Sequence, residues 1–175
     1  INAVDGIDID SGGNVVLGAV LGGSTDILTT GTVDIGNAAT LRLAAQGTSI
    51  TLGTAAIGSN AAAETGALIL TATAGTIAIT DATTARATTL NADTDIDIGN
   101  MASGGALAAT AGGDIAFTTV AGDSVNMTAG GNITGGDIDA SIDSLASNNA
   151  VLNAGGNVSA GTVNAIDGID IDSGG

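Results

Sequence analysis

The chain has 175 residues and a formal net charge of −16, with only Arg42 and Arg86 against eighteen acidic residues, no Cys or His, and one aromatic, Phe117. That balance excludes nucleic acid and anionic membrane surfaces as partners, since both are gripped by Lys and Arg. The lack of Cys excludes a disulfide scaffold or thiolate metal site, and the lack of His, Lys and Cys removes the usual bases and activated nucleophiles, so the chain reads as a non-enzyme.

Hydrophobic residues make up 44% of the chain and the mean hydropathy is +0.46, which argues against disorder. With one aromatic, the buried material must be Ile, Val, Leu and Ala, so the core must be thin. The most apolar run, Val15 to Leu21, falls far short of the ~20 residues of a membrane span. No signal peptide is visible, and the chain reads as a mature or internal segment.

The predicted elements repeat in chain order. Ile7 and Ile9 alternate with polar residues up to Gly13, and Val15 and Leu17 resume the alternation after it. DILTTG closes on Gly31 and leads into Val33 and Ile35; Leu41 and Leu43 precede Gly47. LTATAG closes on Gly75 before Ile77 and Ile79. A turn near Thr94 precedes Ile96 and Ile98. Leu107 and Ala109 precede Gly113, followed by Ile115 and Phe117; Val125 and Met127 precede Gly131; VLNAGG ends at Gly156, and the last turn is at Gly175. Period two marks a strand with one buried face, and Gly at the bend permits positive φ. Each unit is therefore strand, tight turn, strand, looser turn.

A longer repeat frames these. INAVDGIDIDSGG (Ile1 to Gly13) returns as VNAIDGIDIDSGG (Val163 to Gly175), with Ile and Val exchanged at two positions. Residues 1–162 thus form one repeat unit, and 163–175 begin the next identical unit. Within it the turns define about eight coils of roughly 20 residues, too short to bury an apolar face alone, so neighbours must stack. The expected fold is all-β, a parallel β-helix solenoid rising ~4.8 Å per coil, or roughly 38 Å per unit. Outside, the position after each turn holds Asn14, Thr32, Thr48, Thr76, Asp95, Asp114, Asn132 and Asn157, expected to form ladders with amide hydrogen bonds. Neither terminus looks capped, so copies or adjoining repeats are expected end to end.

The phrases ATAGGDIAF (Ala109 to Phe117), MTAGGNITGG (Met127 to Gly136) and LNAGGNVSAG (Leu152 to Gly161) resemble the repeats of filamentous haemagglutinin-like exoproteins, the bacterial adhesins of two-partner secretion. The resemblance implies a right-handed β-helix shaft, export to the bacterial cell surface, and roles in attachment or biofilm, with a host or neighbouring cell surface as partner.

Alternatives remain for particular residues. Asp8 and Asp10 lie on one outer side, with Asp8 expected near Asp26 and Asp95 near Asp114. They read either as a solvated acidic face, the favoured reading, or as a calcium site relieving like-charge ladders, as in a calcium-dependent surface-layer component. No catalytic, cofactor-binding or metal-ligating residue is assigned. Arg42 and Arg86 could pair with outward Asp residues. Asn126, Asn132 and Asn157 fall in N-x-[ST] sequons but read as ladder residues. Surplus residues at Thr54 to Gly66 and Ile138 to Asn149 read as loops that either contact a receptor or polysaccharide or have no partner. Ice binding would need regular Thr ladders, and the mixed outer positions disfavour it.

Overall fold

The computed structural model describes residues 1–58, 66–142 and 148–175. Among them every element is a strand, and every strand pairing is parallel. The chain is a β-solenoid of about eight turns. Its strands are β1 (Asn2–Ser11), β2 (Val15–Thr29), β3 (Val33–Gly47), β4 (Ile50–Ile57), β5 (Leu68–Ala72), β6 (Ile77–Thr84), β7 (Thr88–Ala92) and β8 (Ile96–Ser103). They continue as β9 (Leu107–Ala111), β10 (Ile115–Ala121), β11 (Val125–Ala129), β12 (Ile133–Ala140), β13 (Asn149–Ala154), β14 (Val158–Ser159), β15 (Val163–Ala165) and β16 (Gly168–Ser173).

Two rows of strands run along the axis. The first carries β2, β3, β4, β6, β8, β10, β12 and β14; the second carries β1, β2, β3, β5, β7, β9, β11, β13 and β16. The strands β2 and β3 appear in both rows because each runs unbroken round the corner between them. At this corner Gly22 has φ +122°, and a Cβ there would lie 1.8 Å from the Ala3 carbonyl oxygen of the coil below. Only glycine meets both demands.

Register builds the core. In the first row Val15, Val33, Ile50, Ile77, Ile96, Ile115 and Ile133 form one buried column. In the second, Ile27, Ala45, Leu70, Leu90, Ala109, Met127 and Leu152 form another. Each fully buried Ile or Leu is worth ~1.5–3 kcal/mol, and its burial depends on the coils stacked on either side. Phe117 points inward as expected and stacks on Gly135; a Cβ at Gly135 would lie 2.4 Å from its ring. The ring fills the space that a side chain would take one coil on.

Several local expectations are corrected; positive φ, expected at the tight-turn glycines, occurs among the described residues at Gly22, Gly58 and Gly66 instead. Leu41 and Leu43 do not form an inward pair; the pair is Leu43 and Ala45, and Leu41 is half-buried outside the core. The corner is the cause: Thr40 and Leu43 both face inward, so an extra residue sits at the bend and shifts the alternation. Thr48 does not stack after its turn. Ser49 does, because Ile50 pairs with Val33 and places Ser49 over Thr32. Gly47 is buried in β3 beneath Ala72 rather than forming the bend. Both surpluses are shorter than expected, since Thr54–Ile57 belongs to β4, Ile138–Ala140 to β12 and Asn149 to β13; at the base of the first, Gly58 (φ +76°) and Gly66 (φ +125°) pinch together, and a Cβ on Gly58 would lie 2.4 Å from the Gly66 Cα. Residues 59–65 of that surplus, and 143–147 of the second, lie outside the described residues.

Candidate functional surfaces

The solenoid carries its polar chemistry in outward columns. The first follows the tight turn. Asn14 Oδ1 accepts from the Thr32 amide at 3.0 Å, Asp95 Oδ1 from the Asp114 amide at 2.8 Å, and Asp114 Oδ1 from the Asn132 amide at 2.6 Å. Asn132 Oδ1 accepts from the Asn157 amide at 2.9 Å. The ladder exists, with an altered bonding scheme. Its recurring bond runs from a backbone N–H to the side chain one coil below, and one amide-to-side-chain bond, Asn132 Nδ2 to Asp114 Oδ1 at 3.1 Å, adds to it. A carboxylate serves as well as an amide, since only an acceptor is needed. This explains why Asp and Asn interchange along the column.

A second polar column, at the corner of the first row, is not evident from turn-based alignment. It contains Asn37, Thr54, Asp81, Asn100, Thr119 and Asp137. Thr54 donates to Asn37, Asn100 Nδ2 to Asp81 Oδ1 at 2.6 Å, Thr119 Oγ1 to Asn100 Oδ1 at 2.9 Å, and the Thr162 amide to Asp137 Oδ1 at 2.8 Å. Its signal in the sequence was a polar residue four positions after each first-row column residue from Val33 onward: Val33 to Asn37, Ile77 to Asp81, Ile96 to Asn100, with Ala19 breaking the pattern after Val15.

Acidic contacts fall where expected. Asp8 pairs in register with Asp26, and Asp10 with Leu28. Arg42 Nη1 approaches Asp26 Oδ1 at 2.7 Å, supplying a counter-charge to that pair. Both partners are substantially exposed, so the bridge is worth ~0.5 kcal/mol. Among the described residues no cluster of three carboxylates gathers at one point.

The two outer columns of the second row differ from the rest. Starting at Ala44 and Gln46 and ending at Val151 and Asn153, they contain no charged residue. A shallow trough opens over Ala44, between Leu28 and Ile69.

The axial ends form the last surface. At one end β1 is covered only by β2; at the other, β15 lies on β12 and β16 on β13. Ile7 is 8% exposed, whereas its repeat equivalent Ile169 is 51% exposed.

Comparison with protein-family models, with curated proteins and with solved structures returns no match.

Proposed function

We propose that this chain is a structural shaft segment, one repeat unit of 162 residues and the start of the next, in a secreted bacterial surface fibre or giant adhesin. One observation carries the reading. A thirteen-residue sequence that recurs with only two Ile/Val exchanges is paired from one side at the start of the chain and from the other side at its end. Val163 sits over Ile138, and its equivalent Ile1 precedes Asn2, which sits under Leu21. Ile169 sits over Ala150, and its equivalent Ile7 under Thr25; Ile171 sits over Leu152, and Ile9 under Ile27. Joining the two halves gives uninterrupted inward columns from one unit to the next. Ile169 and Ile171, about half exposed at the open end, would be covered by the next coil, each gaining ~1 kcal/mol.

The export and attachment parts of the reading rest on the resemblance of the three AGG phrases. Tandem arrays of one, two and four units, imaged by negative-stain electron microscopy, test the shaft. Rods of constant width should lengthen by roughly 38 Å per unit. Beads at variable spacing, or globules, would show that units fold separately and that the shaft reading is wrong.

A further inference from the structure

We propose that the charge-free face of the second row is a lateral interface that pairs one rod with a second copy of this chain. This rests on the shaft reading, because its strength depends on repetition along a rod.

The charge distribution supports it. The chain carries −16, and between β3 and β13 the charges fall off this face: Asp34 and Asp97 on the outer face of the first row, Asp81 and Asp137 in the corner column, Asp114 at the turn. Two such rods repel when most of their faces meet. Across the strip from β3 to β13 the outward positions are instead Ala, Thr, Asn, Gln, Ile and Val. The strip is bounded by Asp8, Asp10 and Asp26 on one side and by Asp170 and Asp172, the repeat copies of Asp8 and Asp10, on the other. Its central positions, such as Ala108, are small, so a second sheet could approach to the ~10 Å of face-to-face packing. A second copy is the occupant that the charge pattern selects, because this strip, two columns wide against the single charge-free column from Leu21 to Ala121, is the widest neutral approach a strongly acidic rod offers its own kind. A cationic partner would gain more from the acidic faces.

Size sets the expected strength. Six strands ~4.8 Å apart, with two outward columns, offer on the order of 300 Å² per unit. Stable interfaces use ~800 Å² per partner. A single unit should therefore pair weakly, and successive units should add their contacts.

Cysteine trapping reads a weak encounter, and the chain has no Cys of its own. Thr110, exposed near the middle of the strip, is replaced in Thr110→Cys; Thr134, exposed on the outer face of the first row, is replaced in Thr134→Cys. With a bis-maleimide cross-linker long enough to span the ~10 Å between packed sheets, at 0.5 M NaCl, Thr110→Cys should form interchain cross-links at least tenfold faster than Thr134→Cys. Adding Asn91→Asp and Thr128→Asp, near-isosteric or exposed changes in the same column, should remove that advantage while circular dichroism stays unchanged. Equal rates for the two single variants would overturn the proposal. So would an advantage that survives the added carboxylates. If neutral oligosaccharides shift the strip amides while the two rates stay equal, the face belongs to a glycan and the proposal fails. Rod length in the tandem arrays is independent of these rates, so failure of lateral pairing and failure of the shaft are separable.

Discussion

At the scale of single residues, the core column Ile7, Thr25, Leu43, Leu68, Thr88, Leu107 contains two threonines in different circumstances. Both are fully buried. Thr88 Oγ1 lies 3.0 Å from Thr84 Oγ1, which donates to the Arg86 carbonyl at 2.7 Å, and Ser103 joins the cluster at 3.3 Å. Thr25 Oγ1 has no partner. An unpaired buried hydroxyl carries its full desolvation cost, while a paired one does not. Thr25→Val should therefore stabilise the chain by ~1 kcal/mol, and Thr88→Val should destabilise it by about the same. Urea midpoints at constant m-value read both. A loss on Thr25→Val would show that its hydroxyl is satisfied, for instance by buried water. The sequence does not separate these residues: both are Thr at the same place in the coil grammar. The distinction arises at the corner beside Thr88, where Thr84 of its own coil and Ser103 of the next coil supply hydroxyl partners.

At the scale of elements, the coil was legible because period-two alternation survives wherever a straight strand faces the core. Ile115 and Phe117, or Val125 and Met127, alternate with residues that point out. Legibility ended at corners. There an extra residue breaks the alternation inside strands that run on for 15 residues, and at the β3 corner Thr40, Leu41 and Arg42 include no Gly to mark the bend, so Leu41 is misassigned. The ladder after the tight turn was readable as a column but not as a bonding scheme, because Asn suggests amide stacking whereas the shared demand is an acceptor for the next coil's N–H. That distinction is testable at Asn132, which accepts from the Asn157 amide and donates to Asp114. Asn132→Ala should cost ~1 kcal/mol and speed hydrogen exchange at the Asn157 amide selectively. Thr134→Ala, outward in the adjoining strand, should stay within ~0.5 kcal/mol of wild type. Unchanged exchange at Asn157 would mean that the turn geometry, not the acceptor, protects that amide.

At the scale of the whole molecule, the solenoid sets local cohesion against distributed repulsion. Each coil touches only its neighbours, so stability is a sum of coil and interface terms. The charge of −16 is spread along roughly 38 Å of rod. Repulsion at that density destabilises a compact rod and is relieved by salt over a Debye length of ~10 Å at 0.1 M. The melting temperature should therefore rise with NaCl between 10 mM and 0.5 M. Calcium separates the two accounts of the Asp columns. A solvated acidic face responds to ionic strength alone, so CaCl2 and NaCl at matched ionic strength should give melting temperatures within ~2 °C. Arg42 already supplies a counter-charge to the Asp8–Asp26 pair, and Asp95 and Asp114 each spend an oxygen on a backbone N–H. Both features let these carboxylates stand in adjacent coils without a bound ion. Stabilisation by millimolar CaCl2 well beyond the matched NaCl control, reversed by EDTA, would instead place a divalent ion on those columns. Retention of that effect in Asp8→Asn but its loss in Asp114→Asn would put the ion at the turn rather than on the strand.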